Sequence, residues 1–140
     1  MKTIVFFPPA KEGEYVVADG VESIRTKAFY KCGKITKVTL PDSIKFNNEK
    51  AFFRCGSLED INFPNGFEKI GKDAFAYCTA LTKVTLPESI QEIQEYAFYN
   101  CTSLLEVNID ANESNVLLRE KWYPTNNGLD IAELKINWKK

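Results

Sequence analysis

The four cysteines of the chain stand at positions 32, 55, 78 and 101, each 23 residues after the last. A fixed interval of this length, kept three times over, marks a solenoid or an array built from one small unit. The same interval governs other positions. Ala-Phe recurs at Ala28-Phe29, Ala51-Phe52, Ala74-Phe75 and Ala97-Phe98. An aliphatic residue follows each cysteine: Ile35, Leu58, Leu81, Leu104. Two further rows are Tyr15, Val38, Ile61, Val84, Val107 and Val17, Leu40, Phe63, Leu86, Ile109. Pro41, Pro64 and Pro87 close three of these segments, and Val21, Ile44, Phe67, Ile90 come next. The last row is Ile24, Asn47, Ile70, Ile93, and no gap is needed between Tyr15 and Ile109.

One unit reads C-x-x-L-x-x-V-x-L-P-x-x-I-x-x-I-x-x-x-A-F-x-x. Its V-x-L stretch alternates with period two and predicts a short strand with one inward face. The proline falls at the strand end, where a missing N–H does least harm to a ladder. The remainder is too short for a long helix and reads as a turn plus a 3₁₀ or strand-like segment. A unit of this size cannot enclose its own apolar side, so stacking is what buries each row.

The segments Ile70–Pro87 and Ile93–Ile109, with their I-x-x-x-A-F-x-x-C-x-x-L-x-x-V-x-L pattern, resemble the BspA-type leucine-rich repeat. Phe7-Pro8, Gly13–Val17 and Asp19-Gly20-Val21 resemble that subfamily's entry into its first repeat. The resemblance covers roughly residues 6–110. It implies a leucine-rich-repeat solenoid of about four to five turns, mainly β, with a parallel sheet on one face and terminal caps. The expected divisions are an N-terminal cap and entry strand over 1–14, repeats over 15–110 and a C-terminal cap over 111–140. The resemblance further implies a surface-exposed or secreted bacterial or protist module used in adhesion or protein contact.

Some positions depart from the pattern. Asn47 occupies an isoleucine slot beside Phe46, and a local bulge letting Phe46 take that slot is expected, which makes this repeat the weakest. Gly71 stands where Arg25, Asn48 and Gln94 stand in other units. In the last segment Ser114 reads as a helix N-cap, Asn127-Gly128 as a turn, and Leu134–Trp138 alternates like a strand.

Composition narrows the chemistry. Lys plus Arg is 18 against 19 Asp plus Glu, a net charge of −1, which argues against a nucleic-acid or anionic-membrane footprint. The absence of histidine removes Ser-His and Cys-His pairs and every His-ligated metal site. The apolar run Ile4–Phe7 is halted by Pro8-Pro9, too short for a signal-peptide core or a bilayer span. A cytoplasmic protein, a chain with its leader removed, and a piece of a longer protein all fit that.

Cys32, Cys55, Cys78 and Cys101 fall in a row, the wrong geometry for a four-ligand zinc site. Parallel side chains keep their Cβ atoms about 4.8 Å apart, beyond the usual ~3.5–4.5 Å of a disulfide. They are expected to form a ladder of buried thiols acting as small hydrophobes. No cofactor or metal is expected.

The outward strand positions give two candidate protein-binding rows. Glu14, Lys37, Asp60, Lys83 and Glu106 alternate in sign, so each charge is expected about 4.8 Å from its opposites. Val16, Thr39, Asn62, Thr85 and Asn108 form the second row, without an aromatic anchor. Five strands offer roughly 250 Å² of such face, against about 800 Å² per partner in a stable complex. A candidate aromatic row follows the core phenylalanines: Tyr30, Phe53, Ala76 and Tyr99, with Tyr77 one position further on. The sequons at Asn100 and Asn112 matter only in a eukaryotic secretory route. No nucleophile, phosphate loop or evident cleft is present in the pattern. The expected function is therefore non-catalytic: a protein-binding module whose partner is a host or neighbouring-cell surface protein, or a structural spacer within a larger surface protein.

Overall fold

The computed structural model describes residues 2–4 and 11–139. Phe7 and Pro8, which carry part of the expected entry segment, lie outside the described residues. Along the chain run β1 (Lys2–Ile4), β2 (Gly13–Val16), β3 (Val21–Ile24), β4 (Ile35–Thr39), β5 (Phe46–Asn47), β6 (Asp60–Ile61) and β7 (Lys69–Ile70). They are followed by β8 (Lys83–Leu86), β9 (Glu92–Ile93), β10 (Glu106–Ile109), β11 (Leu117–Leu118), β12 (Thr125–Asn126), β13 (Leu129–Asp130) and β14 (Lys135–Trp138). The chain coils as a β-solenoid of about five turns with almost no helix.

Each coil contributes to three faces. The V-x-L stretches form the strand face. The segments after the prolines form a six-stranded parallel sheet, β1-β3-β5-β7-β9-β11. The Ala-Phe segments form a ladder of turns, in which Phe29, Phe52 and Phe75 each donate a backbone N–H to the alanine carbonyl of the next coil at 2.7–2.8 Å. Two residues per turn adopt the left-handed conformation: Lys27, Lys50, Asp73, Tyr96 in one column and Lys31, Arg54, Tyr77, Asn100 in the other, with φ between 53° and 63°. That conformation tightens the bend and aims the intervening N–H groups along the stack.

The core lies between the faces. Phe29, Phe52, Phe75 and Phe98 are fully buried. Their rings stack at centroid distances of 4.7, 5.0 and 5.5 Å. The aliphatic rows and the cysteines pack around this column in one continuous apolar cluster.

The structure corrects several expectations. The strand face does not run unbroken: it divides into β2-β4-β6 and β8-β10-β14. The break falls where Phe63 replaces the leucine found at Leu40 and Leu86. Its ring packs edge-on against Phe67 and Phe75, with centroids 5.1 and 5.7 Å away.

Phe46 does not take the isoleucine slot. It pairs in register with Ser23 and Lys69, whereas Asn47 pairs with Ile24 and is fully buried. The backbone keeps its register because a one-residue shift would turn every neighbouring side chain to the wrong face. Asn47 Oδ1 accepts the backbone N–H of Gly71 at 2.9 Å, while its Nδ2 has no partner. A Cβ on Gly71 would lie 2.6–2.8 Å from backbone atoms of Asn47 and Asn48. Only glycine fits so close an approach.

Asn112, not Ser114, caps the single-turn 3₁₀ segment Glu113–Asn115, accepting the Ser114 backbone N–H at 3.0 Å. The residues after it trace another coil in irregular form. β11 joins the six-stranded sheet through β9, Trp122 accepts the N–H of Phe98 on the turn ladder, and β14 pairs in parallel with β10. Asn127 and Gly128, with φ of 51° and 79°, turn the β12–β13 hairpin as the sequence predicts.

Candidate functional site

The charged strand row is held in register on both halves of the broken sheet. Glu14, Lys37 and Asp60 align across β2, β4 and β6, and Lys83, Glu106 and Lys135 across β8, β10 and β14. Lys135 extends the alternation by a sixth charge that the 23-residue period does not reach. Lys37 pairs with Asp60 at 3.9 Å and Lys83 with Glu106 at 3.3 Å. The expected contact of each charge with two opposites is not met: among the described residues Lys37–Asp60 and Lys83–Glu106 are the row's two ion pairs, and the break separates Asp60 from Lys83. There an open notch of about 450 Å³ lies between β6 and β8, lined by Asp60, Asn62, Phe63, Lys83 and Thr85 among others.

The second row spends much of its polarity within the fold. The Asn62 side-chain amide accepts from the Leu40 N–H at 2.6 Å and donates to the Leu40 carbonyl at 3.0 Å. It thus acts as an additional peptide group closing β4 on β6. Asn108 Nδ2 donates to Glu106 Oε2 at 2.9 Å, and Asn108 Oδ1 accepts from Asn137 at 2.8 Å. The Asn108 amide, then Lys83, holds the Glu106 carboxyl below its usual range. Thr39 is half-buried, and Thr85 is exposed at the notch.

The cysteines are reduced thiols, all buried. Cys55, Cys78 and Cys101 donate to the carbonyls of Phe29, Phe52 and Phe75 at 3.1, 3.1 and 2.9 Å. Burial pushes the Cys32 thiol from 9.0 up to about 11, Cys55 and Cys101 up to about 12, and Cys78 well above 9.0. A thiol so held is neutral at physiological pH and is a poor nucleophile. Among the described residues no group of three or more Cys, Asp or Glu side chains could hold a metal ion. No helix of the described residues is long and apolar enough to cross a membrane.

The aromatic row lies on the turn ladder. Tyr30 and Phe53 stack at 5.3 Å, Phe53 meets Tyr77 edge-on at 5.5 Å, and Tyr77 meets Tyr99 at 5.7 Å. All four are half-buried. Ala76 is fully buried, so the row steps one residue along the chain to Tyr77 in the third repeat. Tyr96 adds a ring 5.4 Å from Tyr99, a member the row spacing did not reveal. An open groove of about 420 Å³ runs beside these rings, between Lys50, Phe53, Lys72, Asp73, Tyr77, Tyr96 and Tyr99. Asn100 is buried, accepting from Thr125 Oγ1 and Gly128 N at 2.9 Å, so packing against the hairpin explains that sequon position.

Coils of one repeating length, a stacked phenylalanine column and a buried thiol ladder define a leucine-rich-repeat solenoid. The chain belongs to the BspA type leucine rich repeat region family, whose profile matches residues 11–119 in six copies. Among solved structures, a leucine rich cell surface protein from Faecalibacterium prausnitzii A2-165 is similar over 99% of this chain and 35% of its own, at 24% identity and a TM-score of 0.80. A leucine-rich repeat protein from Bacteroides ovatus is similar over 96% of this chain and 47% of its own, at 20% identity and a TM-score of 0.68. The Treponema pallidum leucine rich repeat protein is similar over 79% and 70%, at 27% identity and a TM-score of 0.52. The chain thus spans about a third of the length of the Faecalibacterium protein. Comparison with curated proteins returns no match. The family and fold are typically non-catalytic.

Proposed function

We propose that the chain is a non-catalytic protein-binding module of a surface or secreted protein, of the kind used in adhesion. The observation that carries this reading is the aromatic row: Tyr30, Phe53, Tyr77 and Tyr99 touch in sequence and stay half-exposed on a rigid backbone ladder. Partly exposed aromatic rings on rigid supports supply binding area at low entropic cost. The family and the Faecalibacterium cell-surface relative support a surface location. The strand rows Lys37, Thr39, Asp60, Asn62, Lys83, Thr85, Glu106 and Asn108 are the second candidate face.

A structural-spacer role is the other reading, favoured by the strand face, whose charges and amides are so largely paired within the fold. Label-free binding against extracellular-matrix and cell-surface proteins separates the two. A saturable partner, weakened by Tyr99→Ala or Lys83→Glu in variants that still melt cooperatively, supports the module. A folded chain that captures nothing, or whose capture neither substitution alters, refutes it.

A further inference from the structure

The net charge of −1 conceals a local segregation on the turn ladder. Lys27, Lys31, Lys50 and Arg54 flank the rings of the first two repeats, and all four occupy left-handed positions, at φ of 61°, 58°, 55° and 60°. Side chains other than glycine and asparagine rarely adopt that conformation, and the equivalent position in the last repeat is Asn100. Cations are thus kept where an asparagine would suit the backbone better. The conformation recurs at Asp73, Tyr77, Tyr96 and Asn100, so the turn ladder imposes it in every repeat and fixes where these side chains project.

The cations rest on ring faces. Lys27 and Lys31 lie 5.3 and 5.4 Å from the Tyr30 centroid. Lys50 lies 5.4 Å from Phe53, and Arg54 lies 4.4 Å from Tyr77. Among the described residues none of the four forms an ion pair. The character changes along the stack. Asp73 lines the groove, with Glu49 and Glu95 in electrostatic reach of it, and Asp73 with Tyr77, then Tyr96 with Asn100, take the positions that carry cations in the first two repeats.

We propose that this face binds an extended acidic polypeptide segment, its carboxylates over Lys27, Lys31, Lys50 and Arg54 and a following apolar side chain in the groove between Phe53, Tyr77 and Tyr99. The proposal rests on the reading of the chain as a protein-binding module and names the face and the partner's chemistry. Four coils span about 14 Å, at about 4.8 Å per step, which four or five extended residues at about 3.3 Å each would cover. The ladder's own N–H and C=O groups bond from coil to coil, so side chains carry the recognition. Sugars and bases stack on bare ring faces, and here cations and neighbouring rings cover them. A uniformly charged polymer would also meet Asp73 and Glu95 beyond the second repeat. A short acidic run ending in an apolar residue meets neither obstacle.

The test is an NMR titration of the intact ¹⁵N-labelled chain. The probe is a synthetic ten-residue peptide whose central five residues are three glutamates followed by two leucines. Controls are the same peptide with glutamines and a heparin oligosaccharide. Saturable shifts confined to the turn-ladder amides, residues 27–31, 50–54, 73–77 and 96–99, are expected. Binding should weaken at least tenfold for the glutamine peptide and for the variant Lys27→Asn/Lys31→Asn/Lys50→Asn/Arg54→Asn. Asparagine suits the left-handed positions, so this variant should melt no lower than the parent, and lost binding will not be lost folding. Undiminished binding by the variant, shifts on the strand face, or tighter binding of heparin than of the peptide would each overturn the proposal, as would absence of peptide binding. If the chain captures a surface protein but not the peptide, this inference falls alone; if it captures neither, the module reading falls with it.

Discussion

Replacing Asn47 by isoleucine should stabilise the protein, although it removes a hydrogen bond. Asn47 is fully buried in a row otherwise made of Ile24, Ile70 and Ile93. Its Nδ2 is buried without a partner, which costs about 1–3 kcal/mol. An isoleucine there would add burial worth about 1.5–3 kcal/mol. Against this stands the Gly71 N–H···Oδ1 bond, worth about 0.5–1.5 kcal/mol net. That loss is partly recoverable, because the equivalent amides of Asn48 and Gln94 donate to the carbonyls of Ile24 and Ile70 at 2.9 and 3.1 Å. Gly71 could do the same to the carbonyl of residue 47. At the low end of all three ranges the balance is a gain of about 2 kcal/mol. For a chain of this size that corresponds to a Tm rise of about 6–8 °C, and to a urea midpoint about 1 M higher with m unchanged. Thermal and urea unfolding followed by circular dichroism measure both. A lower Tm for Asn47→Ile would refute the reasoning and make the Asn47–Gly71 bond a net contributor to the fold.

Gly71→Ala should destabilise by about 1–3 kcal/mol, since its Cβ meets backbone atoms at 2.6–2.8 Å. The penalty should shrink in the Asn47→Ile background, because Arg25, Asn48 and Gln94 carry side chains in the same column; additive effects in a double-mutant cycle would count against the link. The thiols should react slowly with a thiol reagent in the native state and stoichiometrically after denaturation, and rapid native labelling would contradict their burial. Their raised values also set an alkaline limit. Above pH about 9 the unfolded chain loses thiol protons that the folded chain keeps. Stability should therefore fall from there towards pH 11–12, by about 1.4 kcal/mol per thiol per pH unit. A Cys55→Ala/Cys101→Ala variant should show a shallower alkaline decline in Tm, and an unchanged slope would exclude the thiols as its cause.

The period exposes most of the fold because every coil meets the same neighbours, so Cys32, Phe29 and Val38 each announce a whole column. It says less where one coil differs from the next. The break between β6 and β8 falls beside Phe63, one of a row of apolar residues that differ only in size, and the period does not express such differences. Asn47 keeps its register through its neighbours' pairing, a collective effect invisible in its own residue type. β14 begins 29 residues after β10 and so drops out of the period. The signal that could have placed it is the match of Lys135-Ile136-Asn137-Trp138 to Glu106-Val107-Asn108-Ile109. In the candidate site, the aromatic row was legible as a column, with Tyr77 one position beyond Ala76, but the added ring of Tyr96 was not. The cation cluster was hidden by a whole-chain charge sum that averages it against acids elsewhere in the chain. Reading charge column by column, Lys27 with Lys50 and Lys31 with Arg54, would have found it.

The interrupted strand face gives the molecule unequal stiffness. On the six-stranded sheet and on the turn ladder, backbone bonds run from coil to coil through the middle of the stack. On the strand face they stop between β6 and β8. The two halves therefore resemble the covers of a book whose spine is intact. Bending that opens the notch stretches no strand-to-strand bond on that face, whereas bending the other way must strain the sheet or the ladder. Under load, the coil stack should flex in this one plane, opening and closing the notch between Asp60 and Lys83.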